Sequence, residues 1–111
     1  MELWQELQRL NNDLLISVKS LRKTGQEKAE AERDYYVAKA QESLRLKEAG
    51  HPVTIIQLII KGQKTVAEQM FKFHVAEVKH QANLEHVQST KLQLRLLEGQ
   101  IQREYGANMP S

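Results

Sequence analysis

Cysteine is absent from this 111-residue chain, which excludes disulfides, thiolate zinc sites and cysteine nucleophiles. Proline occurs twice and glycine five times, so helix-breaking signals are scarce. Aromatic residues make up 5% of the chain, too few for a dense, self-sufficient core. The longest apolar run, 55–60, is interrupted by Gln57 and is far too short to span a bilayer. Met1 to Glu6 contains neither a basic nor an apolar leader region, so no secretory signal is expected and the expected location is the cytoplasm. A strong charge of one sign is also missing: the net charge is +2, which points to no particular partner.

Gln, Glu, Lys, Leu and Ala dominate what remains, a composition typical of long, surface-rich helices. The strongest punctuation is Gly50-His51-Pro52-Val53-Thr54. Glycine ends helices by adopting a left-handed conformation, and proline disfavours helical geometry in the residue before it. The chain is therefore predicted to fold back there. The expected fold is all-α: a long, coiled-coil-like antiparallel hairpin with a short buried helix at its elbow. Two copies are expected to pair into a dimeric four-helix bundle, because one hairpin buries little apolar surface by itself. This reading places one domain over 1–105, with helices over 2–49, 55–61 and 66–105, and a frayed tail over 106–111.

In the first helix Leu3, Leu7, Leu10, Leu14, Val18 and Leu21 recur at steps of three and four and form one stripe. The stripe is then expected to continue through Ala29, Tyr36, Ala40 and Leu44, with Val37 beside it. Thr24-Gly25-Gln26-Glu27 has the spacing of a capping box, but the charged run after it lacks loop chemistry, which favours one helix, straight or bent. Beyond the turn, Thr54 with Gln57 and Thr65 with Glu68 are further capping-box candidates. Between them Ile55, Ile56, Leu58, Ile59 and Ile60 surround a short helix and predict burial nearly all round, with Gly62 as its stop. In the last helix Val66, Phe73, Val87, Leu94 and Ile101 keep a seven-residue repeat, with His80 as its polar point. Met70, Leu84, Leu97 and Tyr105 supply the alternate positions. Leu7 and Leu10 are predicted to meet Leu97 and Ile101, and Tyr36 and Leu44 to meet Met70 and Phe73.

Candidate chemistry is thin. Glu77 and His80 have the Glu-x-x-His spacing used by di-iron bundles, but one copy and no matching glutamates do not make that site. His74 and His80 lie nearly on opposite sides of a helix and cannot share a metal. No Ser-His-Asp order, phosphate loop or H-E-x-x-H motif occurs, so an enzyme is not expected, nor a cofactor or a bound metal. The order short helix, Gly62, second helix superficially matches helix-turn-helix units. However, Leu58 stands where a small residue normally lets the helices cross. A nucleic-acid site would use Gln63 and Lys64, or the basic stretch of Lys19, Arg22, Lys23 and Lys28, which Glu27, Glu30 and Glu32 dilute. Apolar residues outside the stripes, Trp4, Leu15, Ile16, Leu92 and Leu96, are the candidate contacts for a protein partner or a second copy.

Ala31-Glu32-Arg33-Asp34-Tyr35, the Pro52-Val53-Thr54 elbow, Gly62 with Val66-Ala67, and Gln100-Ile101-Gln102-Arg103-Glu104-Tyr105 together form a recognisable pattern. By it the chain resembles uncharacterised small helical proteins encoded by phages and prophages of low-GC Gram-positive bacteria. The resemblance covers nearly everything after about residue 25 and implies a phage-related setting in the host cytoplasm. It carries no activity and no functional residues. The resulting expectation is a non-enzymatic protein–protein interaction module acting on replication, recombination or host-defence machinery. The alternative is a nucleic-acid-binding accessory protein.

Overall fold

A computed structural model describes residues 2–106. Its elements are α1 (Glu2–Glu48), α2 (Val53–Ile59), a single 3₁₀ turn (Ile60–Gly62) and α3 (Lys64–Tyr105), and no strand occurs among the described residues. The all-helical class and the two long helices match expectation. Apart from Gly106, the expected tail at 106–111 lies outside the described residues. No described helix is long and apolar enough to cross a membrane. The chain divides into two compact units: a terminal unit of Met1–Lys23 with Gln81–Ser111, and an elbow unit of Thr24–His80.

In the terminal unit, segments of α1 and α3 run antiparallel. Leu10, Leu94, Leu97 and Ile101 form a buried cluster, with Leu3, Leu7 and Leu14 packed against it. This bears out the expected meeting of Leu7 and Leu10 with Leu97 and Ile101. Farther along the pair, Asp13 faces His86 at 3.4 Å, and Asn83 Nδ2 donates to Ser20 Oγ at 3.0 Å. Ser17 and Thr90 are buried in the seam, and the Thr90 hydroxyl donates to the His86 carbonyl at 2.9 Å. Returning its proton to the preceding helical turn lets a hydroxyl be buried without an orphaned donor.

Those buried hydroxyls correct the predicted stripe on α1. The seam passes through Ser17 and, in the elbow unit, through Thr24, Tyr35 and Ala38, all buried, with Ala31 half-buried. Ala29, Tyr36, Val37, Ala40 and Leu44 face solvent instead. Choosing apolar Val18 over Ser17 advances the pattern by one residue, or about 100° of helical rotation. Leu21 falls back on the seam, but the same one-residue step at Tyr36 over Tyr35 leaves the assignments beyond Thr24 facing outward. With Ser17 and Thr24 in place, the steps from Leu3 to Thr24 alternate four and three without interruption, a strict heptad pattern.

The elbow unit closes differently. Tyr35, Leu46, Ile56, Ile60 and Val66 make its buried cluster, joined by Ile59, Met70 and Phe73. The rings of Tyr35 and Phe73 stack with centroids 6.1 Å apart. Phe73 therefore meets Tyr35 rather than the expected Tyr36. After α1, Gly50 adopts φ +94°. The His51 N–H bonds the Leu46 carbonyl at 3.1 Å and the Gly50 N–H bonds Lys47 at 3.0 Å. These are the two bonds of a Schellman motif, which leave an unstrained position only for a residue without Cβ.

Neither capping-box candidate beyond the turn caps a helix. Pro52, extended at φ −65° and ψ 152°, is the N-cap of α2 without any side-chain bond, so Thr54 already lies inside the first turn. Its ring presets the backbone for entry into a helix, which starts α2 two residues earlier than expected. Likewise α3 begins at Lys64. The extended residue before it is Gln63, whose carbonyl accepts the Ala67 N–H at 2.8 Å, so Thr65 is no cap. Thr24 sits within the continuous α1, in keeping with the expectation of one helix through Thr24-Gly25. The expectation that α2 is buried nearly all round is also overturned: Ile56 and Ile60 are buried, whereas Val53, Ile55 and Leu58 are exposed, Leu58 by 78%.

Candidate functional site

The five residues proposed for partner contact all belong to the terminal unit, and all five are exposed. Leu92 and Leu96 stand one turn apart on α3, so their side chains are neighbours. Leu15 and Ile16 are adjacent on α1, on the side away from the leucine seam, with Ile16 67% exposed. Trp4 stands apart from them, eleven residues earlier on the same helix, about 16 Å along its axis. Leu96 also lines a shallow groove of about 390 Å³ with Glu6, Leu10, Gln93 and Arg103. One wall of that groove is polar and ordered, because the Arg9 guanidinium hydrogen-bonds Glu6. This bond and the opposite charge hold the Glu6 carboxyl below its ordinary value and raise Arg9.

The candidate nucleic-acid residues are divided between the two units, although Lys19, Arg22 and Lys23, spaced by three and four, share one face of α1. Lys19, Arg22 and Lys23 are exposed on α1 in the terminal unit, while Lys28 is half-buried in the elbow unit. Lys64 is exposed at the start of α3, and Gln63 is half-buried. Gln63 serves the backbone there, as the residue that closes the 3₁₀ turn. Nearby Glu27 is drawn to Lys79 at 3.8 Å, leaving mixed charge around the elbow unit's end of the basic stretch.

His80 occupies the polar point that its heptad position predicted. Its Nδ1 lies 3.0 Å from the Thr24 hydroxyl, and Thr24 is only 4% exposed. Gly25 makes room beside the ring: a Cβ there would stand 3.2 Å from His80 Cε1. Thus the Thr24-Gly25 dipeptide is neither a cap nor a break but a seat for an imidazole. Glu77 is half-buried one turn earlier. No group of three or more His, Asp or Glu residues is gathered around a common point among the described residues.

Two exposed apolar surfaces were missed by reading the sequence. One is Val53, Ile55 and Leu58 on α2, hidden by the expectation of an all-round buried helix. The other is Phe71, Val75 and Val78 on α3, whose spacing of four and three was a readable signal lying off the main heptad. No protein-family model matches this chain, and neither the curated proteins nor the solved structures contain a match to it.

Proposed function

We propose that this chain is a non-enzymatic protein–protein interaction module working in the cytoplasm. In a phage setting its target is replication, recombination or host-defence machinery. The observation that carries the reading is the exposure of Leu15, Ile16, Leu92 and Leu96, with Trp4, on helices whose seam is already filled by other leucines. Each large aliphatic side chain moved from water into a contact contributes about 1.5–3 kcal/mol. Four such residues can therefore support association, either with a partner or with a second copy as a dimeric four-helix bundle.

Light scattering on the full chain, with and without Leu92→Glu/Leu96→Glu, tests the dimer. The expected result is twice the chain mass for the parent and a shift towards the monomer for the variant. Capture from a host lysate followed by mass spectrometry tests the wider reading, with the same variant losing the captured protein. A monomer that captures nothing would sink both. Retention of DNA at low salt, lost as salt rises, would instead favour the accessory nucleic-acid reading, because neutralised phosphates release counterions.

A further inference from the structure

The elbow unit carries a second surface, separate in its residues from the one just described. A groove of about 500 Å³ opens between the last turns of α1 and the short helix α2. Ile56 and Ile60 lie buried at its base, and the exposed Ala40, Leu44 and Val53 form its sides. Along α1 the apolar wall extends one turn further to Tyr36, which is 55% exposed, so Tyr36, Ala40 and Leu44 form one stripe at steps of four. The small residue in the middle lets a rod-shaped occupant seat closely.

Charge selects the occupant. Lys39 and Lys47 stand on the α1 wall, eight residues apart and so about 12 Å along the axis. Neither is drawn into an ion pair with a carboxylate among the described residues. The lining contains no carboxylate, and residues 49–67 contain no Asp or Glu. A second copy fits poorly. Pairing this stripe with itself about Ala40 would set Arg33 against Lys47, since both lie seven residues from Ala40 on the same face, and like charges across an interface disfavour it. A narrow apolar groove with cations along one side suits an amphipathic helix whose apolar residues recur at i, i+4 and i+7.

We infer that the α1–α2 groove of the elbow unit is a docking site for an acidic amphipathic helix of a partner protein. The site adds a partner chemistry to the interaction reading without depending on Leu92 or Leu96. The probe is a fluorescein-labelled 18-residue peptide with leucines at i, i+4, i+7 and i+11 and glutamates on both flanks, titrated with the full chain and followed by anisotropy. The acidic peptide binds, its affinity falls with salt, and a matched peptide with Lys for Glu binds far more weakly. Lys39→Glu/Lys47→Glu weakens the acidic peptide about tenfold, the sum of two modest exposed pairings reversed. Ala40→Glu, a single change at an exposed position, blocks the groove and has the same effect, with circular dichroism confirming unchanged helix content.

Equal binding of the two peptides, or indifference to both variants, overturns the proposal. So does retention on phosphatidylserine vesicles through the same lysines without peptide binding, which would make the groove a membrane contact. A dimer dissolved by Ala40→Glu would assign the groove to a second copy and overturn it too. Failure of the parent chain to bind the acidic peptide, with an intact Leu92/Leu96 effect in lysate capture, would remove the groove and leave the interaction reading standing.

Discussion

The terminal unit and the elbow unit bury apolar surface by different means. In the terminal unit the core is aliphatic and comes from two helices, with leucines and one isoleucine on an unbroken heptad. In the elbow unit it combines aromatic, β-branched and flexible side chains drawn from three helices and a 3₁₀ turn. A two-helix seam can be filled by periodicity alone, because each knob meets only the facing ridge. Closing a chain reversal needs a third element over the gap, and that element cannot bury all its sides at once. The cost is visible as exposed Val53, Ile55 and Leu58, and Val53 among them helps to shape the groove.

The largest expected effect is that of Ile60→Ala in the elbow unit, where Ile60 is enclosed by α1, α2 and α3 residues. Removing it should cost about 3–5 kcal/mol in urea unfolding, since the surrounding elements cannot collapse into the space. Leu94→Ala in the terminal unit should cost less, about 2–3 kcal/mol, because two helices can shift together. Equal losses at the two positions would break the comparison. Gly50→Ala sharpens the elbow side: nothing lies within 4 Å of the added Cβ, so the positive φ alone accounts for a loss of about 1–2 kcal/mol.

A smaller effect tests the seat for His80. Alanine is about 1 kcal/mol better than glycine inside a helix, yet Gly25→Ala should stabilise the parent much less than that. Its Cβ would meet the ring at 3.2 Å. In a His80→Ala background the full gain should appear, and a double-mutant cycle measures the difference. Additive effects would show that the ring moves aside freely.

The smallest effect is electrostatic and should be alike in both units. Hydrogen bonding to Arg9 and to Arg45 holds Glu6 and Glu42 below their ordinary value of 4.5. A lowered carboxylate pKa stabilises the folded state above the unfolded pKa, and the contribution is lost as pH falls through the folded one. Helicity followed by circular dichroism from neutral pH downwards should therefore weaken slightly only below about 4.5, with Glu6→Gln and Glu42→Gln each flattening that slope. Because the arginine of each pair is exposed, the change should be small and should shrink further in high salt.

Much of this architecture was legible in residue order. Leu3, Leu7, Leu10 and Leu14 against Leu94, Leu97 and Ile101 could be paired by spacing, and Gly50 announced the reversal because a positive φ is open mainly to glycine. The exposure of Leu15, Ile16, Leu92 and Leu96 was legible too, since they fall off an evident stripe. What misled was the assumption that a seam stays apolar. Ser17 and Thr24 carry it, and a buried hydroxyl is acceptable only when a partner arrives: for Thr24 that partner is His80, 56 residues away.

Sequence by itself determined the helical class, the place of the reversal and the leucine seam, because these follow from local backbone preference and from periodicity within single helices. Tertiary structure alone decided where α2 starts, which of its faces is covered, that Tyr35 rather than Tyr36 turns inward, and that Lys39 and Lys47 overlook an apolar groove. Those features depend on contacts between residues far apart in the chain, whose geometry no local pattern encodes.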